Sequence, residues 1–235
     1  MPTQKPKPTD LMQPITIEEE LMSNHFRVVV FGSARIKKDD ERYKLTYALA
    51  KKIDKHDIDI VTGGGPGIME AANAGHHAGR NGNYCHSIGI TVKLPFEENI
   101  NPHLDLRKHF QRFSNRLDQF MVLSNVVVVM PGGVGTCLEF FYTWQLTQVN
   151  HICKIPIILM GEMWEGMYTW INDQPLRKGF ISPGDLDNLH IAKSSDEALG
   201  IILDEKKLHD KLGDTCTTTR KYLYSVSNTP PPEAL

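Results

Sequence analysis

The segment RVVVFGSAR, residues 27–35, decides the fold class of this chain. Its first five residues form a short β-branched and aromatic run, which is typical of a strand buried on both faces of a parallel sheet. The run stops at a turn of small residues, Gly32-Ser33-Ala34. The next segment, 39–55, has acidic residues first, lysines last and apolar residues at helical spacing. That pattern predicts an amphipathic helix whose charges suit its dipole.

The alternation of strand and helix continues along the chain. Further strands are predicted at 58–61, 86–92, 125–130 and 155–160, and further helices at 68–78, 110–123, 134–148 and 164–173. Strands that alternate with helices at this spacing form a parallel sheet with helices on both faces. The predicted fold is therefore α/β, a Rossmann-like, doubly wound, mostly parallel sheet.

The length of 235 residues suits one domain of the larger α/β kind. We expect that domain to cover residues 25–205. Residues 1–24, rich in Pro, Lys, Thr and Glu, are expected to form an arm and a short helix. Residues 206–235 are expected to form a C-terminal extension with a loose Thr/Ser/Pro-rich end.

Composition excludes several classes of protein. Lys+Arg number 26 against 28 Asp+Glu, a net charge of −2, which argues against a broad basic face for nucleic acid. There is no apolar stretch of about 18 residues, so no membrane span is predicted. The N-terminal sequence lacks the apolar core of a signal peptide, which predicts a cytoplasmic location. Four scattered cysteines without a CxxC pair predict reduced thiols rather than a disulfide framework or a zinc site.

Three predicted strands end in turns rich in glycine and small residues. The residues of these turns that could approach a ligand are Gly32 and Ser33; Gly63, Gly64, Gly65 and Gly67; and Gly132, Gly133, Gly135 and Thr136. In a doubly wound sheet such turns open on one edge, where ligands bind. Glycine lets backbone N–H groups approach a phosphate, and the following helix N-terminus adds positive potential. The chain has neither GxGxxG after its first strand nor the GxxxxGK[ST] pattern, which disfavours an NAD dehydrogenase or an ATPase.

Charged residues are predicted beside this phosphate cradle. Glu139 follows Thr136 by three residues, so both lie on one face of the predicted helix. Arg112 and Arg116, four residues apart, share a face of the preceding helix, from which Arg116 can reach the same edge. A phosphate cradle, a carboxylate and an arginine suit cleavage of the N-glycosidic bond of a phosphorylated riboside. The carboxylate stabilises the oxocarbenium-like ribose or activates water, and the bound phosphate positions the sugar.

Four motifs together resemble the Lonely Guy (LOG) family, known earlier by the label "lysine decarboxylases". They are GSAR, GGGPGIMEAANAG (63–75), LPFEENINP (94–102) and PGGVGTCLE (131–139). The resemblance covers roughly residues 25–205. It implies a Rossmann-like fold and at least a dimer. We expect no cofactor and no metal. The implied reaction is hydrolysis of a nucleoside 5′-monophosphate, such as AMP or a cytokinin riboside monophosphate, to free base and ribose 5-phosphate.

The resemblance also implies residue roles. The family's catalytic Glu matches Glu139 and its catalytic Arg matches Arg116. The substrate-binding residues would be those of the three turns together with Met69, Glu70 and Arg112. The family's usual Arg-Lys-Ala-Glu-Met reads RLDQF (116–120) here, so base preference is left open. Glu70 either contacts the nucleotide or caps its own helix.

Some features allow more than one interpretation. The run FFYTW (140–144) could stack on a base or pack in the core, but the resemblance favours a subunit interface because the family's corresponding helix packs near the dimer partner. His76 and His77 point about 100° apart on a helix, which favours surface histidines over metal ligands. A pyridoxal phosphate decarboxylase would need a Schiff-base lysine, and neither glycine-rich turn holds one. The rival function is a non-catalytic nucleotide or molybdenum-cofactor carrier, which would need the glycine turns but not the Glu/Arg pair.

Overall fold

The computed structural model describes Ser23, residues 25–80, Gly82, residues 85–92 and residues 100–212. Within them lie seven strands and six α-helices. The strands are β1 (Arg27–Phe31), β2 (Asp59–Thr62), β3 (Ser87–Val92), β4 (Leu106–Phe110), β5 (Val126–Val129), β6 (Ile157–Met160) and β7 (Leu189–Ala192). The helices are α1 (Glu41–Ile53), α2 (Ile68–Gly79), α3 (Phe113–Leu123), α4 (Val134–Gln148), α5 (Met163–Ile171) and α6 (Ser195–Leu212). Strand β4 follows β3 with no described helix between them.

All seven strands are parallel and lie in the order β4-β3-β2-β1-β5-β6-β7. The predicted α/β doubly wound fold is confirmed. The chain winds outward from β1 to β4, returns to the other side of β1 as β5, and winds outward again to β7. The strand order therefore reverses between β1 and β5, and ligands bind at the carboxyl ends of strands at such a switch point.

Side chains of β1 point alternately to the two faces of the sheet, and both faces are covered. Val29 and Phe31 belong to the apolar cluster under α3, α4 and α5, which includes Trp164. Val28 and Val30 belong to the cluster under α1, α2 and α6. All four side chains are at most 2% exposed, which explains why this strand is apolar throughout instead of alternating.

The sequence patterns missed the two edge strands and the last helix. β4 reads LRKHF and alternates between half-buried and exposed residues, and β7 reads LHIA. Because an edge strand is covered less completely, neither has the long apolar run that marks the central strands. Helix α6 crosses the expected boundary between the domain (residues 25–205) and the C-terminal extension (residues 206–235), and it packs against α1. The expected N-terminal arm and the end of the C-terminal extension lie outside the described residues.

Two expectations about single residue types need correction. Cys85 and Cys137 are free thiols, but Cys153 is disulfide-bonded, so the expectation of reduced thiols is wrong there. His76 is fully buried rather than on the surface, and its Nε2 donates to the carbonyl of Ile58 at 2.9 Å. Burial lowers the pKa of His76 to about 4. Across the described residues, no helix is long and apolar enough to cross a membrane.

Candidate functional site at the carboxyl edge of the sheet

The three turns predicted from the sequence meet at the switch point. The amide of Ser33, after β1, donates to the carbonyl of Pro131, after β5, at 3.2 Å. The Ser33 carbonyl accepts a hydrogen bond from the Ile68 amide at 3.0 Å. Gly67 has φ +67°, and a β-carbon there would overlap the backbone of Ser33 and Ala34. The turn after β1 thus joins the two glycine-rich turns.

The turn 63–67 is held by buried asparagine side chains that the sequence patterns did not indicate. Asn101, 5% exposed, donates from its backbone to the Gly64 carbonyl at 2.9 Å and from Nδ2 to the Gly65 carbonyl at 3.0 Å. Its Nδ2 also contacts Oδ1 of Asn73 at 3.0 Å, and the Thr62 hydroxyl donates to the same oxygen at 2.7 Å. Both asparagines lie inside motifs on which the family resemblance rests, and this position was the only sequence signal that could have indicated their importance. Their role is to set the shape of this turn.

The N-terminus of α4 forms the other side of the site. No side chain caps it, and Gly133, Val134 and Gly135 are exposed, so the amides of the first turn face solvent. A β-carbon on Gly133 or Gly135 would meet nothing within 4 Å, and neither residue has a positive φ. The fold itself does not require glycine at these two positions. Gly132 differs, because a β-carbon there would overlap the side chain of Thr136, which is 4% exposed.

The predicted catalytic pair is buried beside these turns. Arg116 on α3 and Glu139 on α4 are 6% and 8% exposed, and Nη1 of the arginine lies 3.9 Å from Oε1 of the glutamate. Arg116 Nε donates to the carbonyl of Ile90 on β3 at 2.8 Å. Its guanidinium carbon lies 5.2 Å from the ring centre of Phe120. A β-carbon on Gly63 would overlap Nη2 of Arg116, so the guanidinium lies against the turn 63–67.

Three further predicted residues have different placements. Met69 is 8% exposed and borders Gly63, since its sulfur would lie 2.7 Å from a β-carbon there. Glu70 pairs with Lys38, whose Nζ lies 2.7 Å from its Oε1, and this hydrogen bond raises the pKa of Lys38. Arg112 is exposed and has extended backbone at the N-cap of α3, so it does not share a helical face with the buried Arg116.

A group that could hold a metal ion lies at the opposite edge of the sheet. His25 precedes β1, Asp59 begins β2 and His86 precedes β3, and one ligand atom from each lies within 4.8 Å of the others. Arg27 Nε is 3.7 Å from Oδ2 of Asp59. That guanidinium already neutralises the carboxylate, which weighs against binding of a cation.

Comparisons with known proteins find a family model, curated relatives and solved structures that this chain resembles. A family model described as "Possible lysine decarboxylase" matches residues 69–202. A "Pyrimidine/purine nucleotide 5'-monophosphate nucleosidase" from Escherichia coli strain K12 is 27% identical over 153 residues, which cover 63% of this chain and 33% of the relative. The chain therefore spans about a third of the length of the curated relatives it matches.

Two solved structures show the same fold. The molybdenum cofactor binding protein from Rippkaea orientalis has a TM-score of 0.58 at 19% identity, over 78% of this chain and 98% of that one. DNA processing protein A from Helicobacter pylori, described with a single-stranded DNA binding mode, has a TM-score of 0.53 at 15% identity, over 79% of this chain and 84% of that one. Identities this low establish the shared fold alone.

Proposed function

The chain belongs to the family described as "Possible lysine decarboxylase", the LOG family, and on that basis we propose that it hydrolyses the N-glycosidic bond of a nucleoside 5′-monophosphate. The observation that carries the proposal is the buried Arg116–Glu139 pair beside two glycine-rich turns at the switch point. The relative named a nucleotide 5′-monophosphate nucleosidase supports the same reaction class. The substrate class is AMP-like, with the base left open.

The proposed mechanism begins with the phosphate. The amides at the start of α4 and the Thr136 hydroxyl hold it, because a helix N-terminus favours an anion. Gly133 and Gly135 leave the space for this approach. Phosphate binding then orients the ribose, so that its anomeric carbon lies near Glu139.

Bond cleavage sends the electron pair of the C1′–N bond to the base and leaves positive charge on the ribose. The Glu139 carboxylate stabilises that charge or positions the attacking water, and its burial strengthens the interaction. Water adds to C1′ to give ribose 5-phosphate, and the proton that this water loses ends on the departing base, which is released as the neutral free base. Arg116 orients the substrate and offsets the negative charge that develops on the departing base.

Two other activities are less well supported. A pyridoxal phosphate decarboxylase would need a Schiff-base lysine, and residues 63–67 and 131–136 contain none. A nucleotide or molybdenum-cofactor carrier would use the glycine turns, but a carrier has no need for an acid and an arginine buried 3.9 Å apart. The pair therefore favours the hydrolase.

Purified protein incubated with AMP tests the proposal, with other nucleoside monophosphates defining the base preference. We expect equal amounts of adenine and ribose 5-phosphate. Arg116→Ala and Glu139→Ala should each lower turnover at least about 100-fold while the fold is retained. The exposed residues Glu41 and Arg177 supply the matched controls Glu41→Ala and Arg177→Ala, which should keep wild-type activity. AMP binding without base release would favour the carrier, and normal turnover in both site variants would refute the assigned roles.

We further propose that the protein forms a homodimer or larger homo-oligomer through α4. Val134, Leu138 and Phe141, at spacing i, i+4, i+7, form one apolar stripe and are 87%, 45% and 39% exposed. Phe140 and Trp144 point instead into the core, so the aromatic run divides between core and surface. A second copy is the occupant that the family resemblance favours.

A further inference from the structure

Resting on the proposed function, we infer that a hydrogen bond between Asp118 and Tyr142 ties α3 to α4 and so helps to position Arg116 relative to Glu139, which makes Asp118 and Tyr142 positioning residues for the hydrolysis. The Tyr142 hydroxyl donates to Oδ1 of Asp118. Asp118 belongs to α3, which carries Arg116, and Tyr142 belongs to α4, which carries Glu139. The bond therefore links the two helices that present the catalytic pair.

The distance between the catalytic side chains depends on how α3 and α4 lie relative to each other. A charge-assisted hydrogen bond between guanidinium and carboxylate is about 2.7–2.9 Å long, whereas Nη1 and Oε1 are 3.9 Å apart. The two side chains are only 7% and 11% exposed, and attraction between opposite charges strengthens when water is excluded. A shift of about 1 Å in the relative position of the two helices therefore decides whether the pair closes into a direct ion pair. Glu139 would then be engaged by Arg116 instead of facing the ribose.

Two contacts restrain α3 from different sides. Residues two apart on a helix point about 200° apart, so Arg116 and Asp118 leave α3 on nearly opposite sides. Arg116 is held at Nε by the Ile90 carbonyl, and Asp118 is held by Tyr142. Tyr142 follows Glu139 by three residues and therefore lies on the same side of α4. Rotation of α3 about its axis, which would move the guanidinium relative to Glu139, is opposed by both contacts.

Loss of the bond should affect chemistry more than binding. The phosphate cradle consists of residues 132–136 and the turn 63–67, and neither Asp118 nor Tyr142 belongs to it. A displacement of about 1 Å in a catalytic group can lower a rate by about 100-fold. We therefore expect kcat to fall while KM stays close to that of the wild type.

The experiment measures kcat and KM for AMP, together with thermal unfolding, for four single variants and one double variant. Tyr142→Phe removes the donor and Asp118→Ala the acceptor, and each should lower kcat about 10- to 100-fold. Asp118→Asn retains an acceptor oxygen and should restore kcat to within about threefold of the wild type. Gln148→Ala is the matched control, because it removes a side-chain hydrogen bond of the same helix, to Asp185, that does not reach α3.

The double variant Asp118→Ala/Tyr142→Phe should be no slower than the slower single variant, since both changes remove one interaction. Wild-type kcat in Tyr142→Phe and Asp118→Ala would overturn the inference, as would an equal loss of kcat in Gln148→Ala. Failure of the wild-type protein to cleave any nucleoside monophosphate would instead refute the proposed function, so the two failures are distinguishable.

Discussion

Replacing Gly135 by alanine should stabilise the protein and weaken its activity. Gly135 is in the first turn of α4, is exposed, and would have nothing within 4 Å of an added β-carbon. Glycine is about 1 kcal/mol less favourable than alanine inside a helix, and the difference is smaller in the first turn. We therefore expect a gain of about 0.5–1 kcal/mol, which corresponds to roughly 1–4 °C in Tm for a protein of this size.

The same methyl group should obstruct the proposed phosphate site. If the Gly135 amide approaches a phosphate oxygen, the added carbon crowds the ligand at a typical overpacking cost of about 1–3 kcal/mol. That cost corresponds to roughly a 5- to 150-fold loss of kcat/KM for AMP. Gly166→Ala on α5 is the matched control, since this exposed helical glycine also has nothing within 4 Å of a β-carbon.

The assay combines thermal unfolding with release of adenine from AMP. Both variants should raise Tm, and only Gly135→Ala should lose activity. Full activity in Gly135→Ala would refute the assignment of this turn to the phosphate. A lowered Tm would refute the reasoning that the space beside the glycine is open.

Three more predictions follow from the structure. Gly63→Ala places a β-carbon against the Arg116 guanidinium, which cannot move away freely because Arg116 is hydrogen-bonded to the Ile90 carbonyl. The free energy of unfolding should therefore fall by about 1–3 kcal/mol in thermal unfolding, and AMP turnover should nearly vanish. Normal turnover would contradict the placement of Arg116. The pKa of His76 is about 4 in the folded protein and 6.5 in the unfolded chain. Neutral His76 therefore contributes up to about 3 kcal/mol of stability above pH 6.5, and this contribution is lost as the pH falls towards 4. The free energy of urea unfolding of His76→Leu should depend less on pH across that window than that of the wild type, and identical pH slopes would contradict this prediction. Leu138→Asp puts a charge into the exposed apolar stripe of α4 and should convert the proposed oligomer into a monomer. Light scattering measures the molar mass, and a mass equal to that of the wild-type oligomer would exclude this interface.

The elements predicted from sequence patterns are those whose signal is local. The central strands are apolar throughout because both faces are covered, and the glycine turns follow them directly. β4 and β7 lie at the edges of the sheet and have mixed side chains, so local patterns do not separate them from loops. Arg112 illustrates the converse error, because a spacing of four residues predicts a shared face only when both residues are inside the helix.

The sequence by itself determined the strand–helix alternation, the three turns and the acid and arginine candidates, since these depend on spacing and residue type within short segments. Only the tertiary structure showed the separation of Arg116 and Glu139, the hold of Asn101 on the turn 63–67 and the burial of His76. Each of these requires contact between segments far apart in the chain. Their geometry is set by how helices and strands pack against one another, which the spacing of residues within one segment does not specify.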